Sequence, residues 1–154
     1  MSFNEFPQSV DGLEIQLWET YEPFYNDLLD RQLSNGDLRP WLDDWSALSS
    51  LVWEAGALIY IKKSLDTADE AAEQAFLDFV TDVQPQASVA DQALKERFLD
   101  SEPDGQDFAD LALTIREMRN QADLFRDENV PLQTELAKLA NEYDKITGCL
   151  LYTS

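Results

Sequence analysis

Apolar residues recur three and four positions apart along most of this chain, which is how a helix that buries one face looks in sequence. From Asp11 the recurring positions are Leu13, Leu17, Tyr21, Phe24 and Leu28. They predict an amphipathic helix that Pro23 kinks or divides, because proline removes one intrahelical donor. Ser34-Asn35-Gly36 suits a left-handed stop. Asp37 then caps a second helix with Pro40 in its first turn and a stripe of Trp41, Trp45, Leu48, Val52, Ala55 and Ile59, ending near Ser64.

Asp66 or Thr67 opens the third helix, and Thr67-Ala68-Asp69-Glu70 reads as a capping box. Ala72, Phe76, Phe79, Val83, Ala87, Ala90, Leu94 and Phe98 hold one face across 68–100, a length of about 50 Å. Pro85 lies inside that stretch, and the unbroken phase predicts a bend there, not an end. Glu102-Pro103-Asp104-Gly105 is a turn. A fourth stripe follows through Phe108, Leu111, Ile115, Met118, Ala122 and Phe125. After a joint before Pro131 comes a fifth: Leu132, Leu136, Leu139, Tyr143 and Ile146. No stretch alternates like a strand and no unit repeats. The expected fold class is all-α, an elongated antiparallel bundle of about five helices kinked at Pro23 and Pro85. Residues 1–10 are a loose lead-in.

Composition adds a core and a charge. The 154 residues are 44% hydrophobic with 8 Phe, 5 Tyr and 4 Trp, ample for one globular domain and unlike a disordered chain. Eleven Lys and Arg against 31 Asp and Glu give a formal charge of −20. That surface repels phosphate backbones and anionic lipid heads, so neither nucleic acid nor membrane is an expected partner. Solubility is the plain reading of the acidity, because the carboxylates are spread along the chain and not gathered on one face. No apolar run approaches the length of a membrane span and no signal-peptide pattern follows Met1, so a cytoplasmic setting is expected. The single cysteine, Cys149, excludes an internal disulfide.

There is no histidine. Without imidazole, Ser-His-Asp and Cys-His triads and all histidine-containing zinc sites are excluded. The remaining constellations are weak. Asp100-x-Glu102-x-Asp104-Gly105 opens like a calcium loop, but Leu111 stands where the bidentate Glu is needed. Asp43 and Asp44 are adjacent and so point about 100° apart on a helix. Asp66, Asp69, Glu70 and Glu73 are ordinary helix-start carboxylates. Trp18, Trp41, Trp45 and Trp53 could stack bases or sugars, but they lack a basic track and are expected in the core. No catalytic, cofactor-binding or metal-binding residue is assigned in this chain.

One ordered set is more specific. Leu124-Phe125-Arg126-Asp127-Glu128-Asn129-Val130-Pro131-Leu132 is followed by Glu135, Leu139, Glu142-Tyr143-Asp144, Ile146 and Gly148. Upstream stand Tyr21-x-Pro23-x-Tyr25-x-x-Leu28-Leu29, then Trp41-Leu42-x-x-Trp45-Ser46, then Asp66-Thr67-Ala68-Asp69. Together, over roughly 15–148, they resemble the N-terminal helical domain of oligoendopeptidase F-type zinc peptidases, relatives of thimet oligopeptidase. The resemblance implies that 11–148 is a wall or lid over a channel that admits short peptides. It also implies that a His-Glu-x-x-His domain, absent here, holds the zinc, so this chain alone would be inert. The implied partners are that C-terminal catalytic domain and an oligopeptide substrate. After Gly148 the likeness stops. Cys149-Leu150-Leu151-Tyr152-Thr153-Ser154 is what TGT CTC TTA TAC ACA TCT encodes, a transposase adapter sequence, so 149–154 is expected to be a non-native tail and Cys149 not a functional thiol. The alternative from a different class is a non-enzymatic acidic helical interaction module.

Overall fold

A computed structural model describes residues 7, 9–33, 37–103 and 106–151, the last three of these and residues 106 and 107 by backbone alone. Among them there are five helices and no strand. The stops expected at 34–36 and at Asp104-Gly105, most of the lead-in, and 152–154 lie outside the described residues.

Pro23 divides the first predicted helix. Helix α1 is Glu22–Asp30, and Pro23 sits in its first turn, where its missing amide would have had no intrahelical partner. The stretch before it is not α-helical, contrary to the continuous stripe from Leu13. It passes through turns closed by Leu13 N to Val10 O and Leu17 N to Glu14 O, then a 3-10 turn, Trp18–Thr20. That turn is anchored from afar, because Trp18 N donates to Asp82 Oδ2 at 3.0 Å. Tertiary hydrogen bonding has overridden the local periodicity.

Helix α2 is Leu38–Leu65, 28 residues, close to its predicted limits. Asp37 flanks its start, but it is the backbone carbonyl of Asp37 that takes the amide of Trp41 at 3.0 Å, with no side-chain cap bond. Helix α3 covers 70–100 in three pieces: an α-helix Glu70–Asp78, a π-helical turn Phe79–Val83, and an α-helix Gln84–Asp100. The Thr67 capping box does not form. Asp69 is the N-cap, its Oδ1 accepting from Ala71 N and Ala72 N at 3.0 Å each, while Asp66 closes the preceding turn through Ala68 N at 2.9 Å. Asp69 has the extended backbone a cap requires, so the carboxylate nearest the first free amides takes them. At Pro85 the helix continues, as its phase required. The wider π turn just before it relieves the clash that proline makes with the carbonyl four residues back.

Helices α2 and α3 run antiparallel side by side for most of their lengths. Trp41 stacks on Phe98 (centroids 6.2 Å apart), Trp45 reaches Asp91, Gly56 faces Phe79 and Tyr60 meets Phe76. Two long helices of matched length make the bundle elongated. A Cβ on Gly56 would lie 3.1 Å from the Phe79 ring, so glycine sets how closely the helices approach there. Helix α1 closes one side, with Trp41 Nε1 donating to Leu28 O at 2.9 Å and Arg31 paired to both Asp27 and Asp44. Arg97 donates to the carbonyls of Leu29 and Arg31, satisfying the end of α1 with a cation as the helix dipole favours. Beyond a 3-10 segment, Gln106–Leu111, helix α4 (Ala112–Leu124) lies against the second half of α3. Phe108 plugs the core edge-on to Phe98.

The core is therefore the one the stripes of α1 to α3 predicted: Tyr25, Leu28, Trp41, Leu48, Val83, Leu94 and Phe98 are almost fully buried. Helix α5, Asn129–Leu151, is the exception. It packs antiparallel to α3 from Glu73 past the π turn and Pro85, through Val130, Thr134, Ala137 and Asn141, with Gly148 against Thr67, a face of small and polar residues. The apolar stripe that predicted it points away. Leu132, Leu136, Leu139, Tyr143 and Ile146 are 62–68% exposed.

Candidate functional site

Between α2 and α3, next to the start of α5, lies a trough of about 600 Å³. Val52, Trp53, Tyr60, Phe76, Phe79 and Val80 give it apolar walls, and Asp91 supplies a carboxylate. At the rim of the trough α2 turns its out-of-phase side chains to solvent. Its stripe Leu48, Ala55, Ile59 faces the core, so Trp53 and Tyr60, one residue out of phase, face solvent at the rim.

Asp91 is a half-buried carboxylate held by two side-chain donors. Its Oδ1 accepts from Trp45 Nε1 at 2.8 Å and its Oδ2 from Tyr25 OH at 3.3 Å. Burial raises its pKa, and those two hydrogen bonds, with Lys95 nearby, only partly offset that. Burial, then the neighbouring Asp91 charge, raises the Tyr25 phenol far above its ordinary value. Tyr21, which donates to Ile15 O at 2.9 Å, is pushed up to about 12 by burial. Neither phenol can serve as a base near neutrality.

At the far end Lys63 is 5% exposed. Its Nζ lies 4.4 Å from the Phe76 ring centroid and 5.1 Å from that of Tyr60, and donates to Asp144 of α5 at 3.1 Å. Glu73 accepts from Lys145 Nζ at 2.7 Å and from Asn141 Nδ2 at 2.9 Å. The hydrogen bond from Lys145 is the main cause that holds the Glu73 carboxyl below its ordinary value.

The residues weighed in sequence are scattered by this arrangement. Asp44 is buried against Arg31 while Asp43 is exposed, so that pair does not converge. Asp66 and Asp69 are spent on backbone amides and Glu73 on α5. Trp41 and Trp45 are in the core and Trp18 stacks half-buried on Tyr25 (5.2 Å). Trp53 departs from the expected core position, being 77% exposed, because it lies one residue past Val52 on the helix. Sequence reading missed Lys63 and Asp44 as buried charges and Asp91 as a half-buried one. The signal was present: each falls in phase with an apolar stripe, Asp44 between Trp41 and Leu48, Lys63 four past Ile59, and Asp91 three before Leu94.

The fold is all-α, and the trough between α2 and α3 is walled mainly by apolar side chains. The chain belongs to the Peptidase M3 N-terminal domain family, whose model matches residues 13–106, well over half of the chain. It is thus an M3-family peptidase N-terminal region. The 124–148 segment, which carries the most specific part of the resemblance, lies outside that match. No curated protein and no solved structure matches the chain.

Zinc, which the resemblance implies for such a peptidase, does not fit the residues present. The chain has no histidine and one cysteine, and among the described residues no three His, Cys, Asp or Glu side chains gather closely enough to hold an ion. Among the described residues no helix is long and apolar enough to cross a membrane.

Proposed function

We propose that this chain is the substrate-channel or lid portion of an oligoendopeptidase F-type zinc endopeptidase of short peptides, acting in the cytoplasm and inert by itself. The observation that carries this reading is the trough inside the family-matched segment. An extended peptide can lay apolar side chains on Trp53, Tyr60 and Phe76, each burying area that water otherwise covers. The carboxylate of Asp91 and the acidic surface favour the peptide's ammonium end or basic side chains. Bond cleavage, in this reading, belongs to groups outside these residues. In this reading the portion contributes peptide binding, and the exclusion of folded chains belongs to the channel it helps to form.

Two measurements test it. The purified chain, incubated with internally quenched peptides with and without added zinc, is expected to leave them intact while peptide binding shifts Trp53 fluorescence. Chelator-sensitive cleavage by the chain alone would reject the inert role. Sequencing the coding region beyond Gly148 in an independent copy of the locus is expected to reveal an in-frame His-Glu-x-x-His, and a genuine stop after Ser154 would reject the peptidase parent. The self-sufficient acidic module differs on the same two measurements, predicting no peptide response at Trp53 and no catalytic continuation.

A further inference from the structure

The trough between α2 and α3 holds a charge without a counterion. Asp91 is the only charged residue among the described residues that line it. Trp45 and Tyr25, which donate to its carboxylate, do not line the trough, so they hold the group from the core side. Both are neutral donors. Lys95, one turn along α3, gives its Nζ to Gln121 Oε1 at 3.2 Å, and among the described residues no Lys or Arg forms an ion pair with Asp91. Burying a charge is costly without a partner of opposite sign, and neutral hydrogen bonds recover only part of that cost. The carboxylate is therefore better suited by a cation brought in through the trough.

Two more oxygens say what kind of cation. Ser88 stands three residues before Asp91 on α3, and Ser49 stands four past Trp45 on α2, spacings that share a helix face. Both line the trough, both are half-buried, and among the described residues neither hydroxyl has a hydrogen-bond partner. One carboxylate and two hydroxyls match an ammonium group, which has three N–H donors and no acceptor. A guanidinium would bring five donors in a flat fork and leave some of them unmet. The way in is apolar, past Val52 and Trp53. A lysine side chain meets both demands, with a hydrocarbon stem for the walls and an ammonium at its tip. A peptide's own terminal ammonium has no such stem and would draw backbone amides onto apolar walls, where desolvation costs. From Ser49 to Tyr60, α2 rises about 16 Å, the length of about five extended residues. Alternate side chains of such a segment face the same side.

We infer that the trough selects peptides by a lysine side chain seated on Asp91, Ser49 and Ser88, with apolar residues at alternate positions lying over Trp53, Tyr60 and Phe76. This rests on the proposed peptide-binding role of the trough and adds which peptides enter it.

The probe is a labelled peptide capped at both ends to remove terminal charge. Lysine stands at its centre and leucine at every second place on either side, so it reads alike in both chain directions. A matched peptide carries norleucine in place of the lysine, which keeps the stem and removes the ammonium. Fluorescence anisotropy with the full chain is expected to show the lysine peptide binding about tenfold or more tighter, the difference shrinking as salt rises to about 0.5 M. Asp91→Asn should bring the lysine peptide down to the affinity of the norleucine one and leave the latter unchanged. Ser49→Ala with Ser88→Ala should cut the lysine preference by about fivefold. Neither serine hydroxyl bonds to the protein, so this pair tests the site even if Asp91→Asn loosens the fold. Equal binding of the two peptides would overturn the inference and leave the peptide-binding role standing, whereas no binding of either would remove both. A lysine preference that survives Asp91→Asn would overturn it too, since the cause would be the general acidity of the chain. So would a norleucine peptide with a free N-terminus that binds as tightly as the capped lysine one, which would give the site to a terminal ammonium.

Discussion

Trp45 of α2 and Asp91 of α3 are joined by an indole N–H to carboxylate hydrogen bond of 2.8 Å, and Tyr25 of α1 meets the other oxygen of the same carboxylate at 3.3 Å. One acceptor thus fixes three helices at the floor of the trough. Replacing it by Ala leaves an indole donor and a phenol donor without their acceptor inside the domain. Asp91→Ala is expected to lower unfolding stability by about 1–3 kcal/mol, the usual cost of stranding buried polar groups. Urea unfolding followed by tryptophan fluorescence measures this, and an unchanged midpoint would mean that the two donors find other partners.

The same carboxyl gives a pH signature of definite sign. Burial raises its folded-state pKa above the unfolded value, so the folded chain takes up the proton first. Its protonation therefore adds stability as pH falls through the raised value, and the gain is complete below the ordinary carboxylate value. Melting temperatures of the wild type and Asp91→Asn, compared stepwise from pH 7 downward, should diverge in favour of the wild type over that window. Parallel curves would contradict it.

Gly56 tests how tightly α2 and α3 are set. Alanine at this position gains about 1 kcal/mol of helix propensity, but its Cβ would stand 3.1 and 3.2 Å from two atoms of the Phe79 ring. That ring is 7% exposed and belongs to the first residue of the π turn. Overpacking, at about 1–3 kcal/mol, outweighs the propensity, so Gly56→Ala should lower the thermal midpoint. A raised midpoint would show that the trough side yields.

The outward stripe of α5 predicts the opposite behaviour for conspicuous leucines. Leu136→Gln and Leu139→Gln remove side chains 68% and 62% exposed, so each should change stability by no more than about 0.5 kcal/mol. Together they should cut the binding of a hydrophobic dye. A large loss of stability would place the stripe in the folded core after all.

How much of this was legible in the chain depends on which force placed each element. The stripes of α2 and α3 predicted their spans within about two residues, because burial against each other is what stabilises them. Leu13 and Leu17 kept a helical rhythm without a helix, since the bond from Trp18 to Asp82, 64 residues away, has no local trace. The cap moved from Thr67 to Asp69 for a reason equally invisible to a pattern: two candidate oxygens lay within one turn and only backbone geometry chose. The stripe of α5 showed that a helix exists but not what it faces, because a heptad of leucines looks the same whether its partner is inside the domain or not. The trough was unreadable for a related reason. It is a gap between helices, and Trp53 announced it only by falling out of phase.

The underside of α5 carries a final consequence. Its anchorage is Lys63 with Asp144, and Glu73 with Lys145 and Asn141, reinforced by few apolar contacts. Hydrophobic seating strengthens in concentrated kosmotropic salt such as sulfate, whereas these pairs weaken through their partly exposed members, Lys145 at 47% and Asp144 at 42%. Helix α5 is thus a strap fastened by electrostatics on a body fastened by oil, and ionic strength should loosen one while tightening the other. Amide exchange ought to quicken along 129–151 and slow along α2 and α3 in the same high-salt buffer.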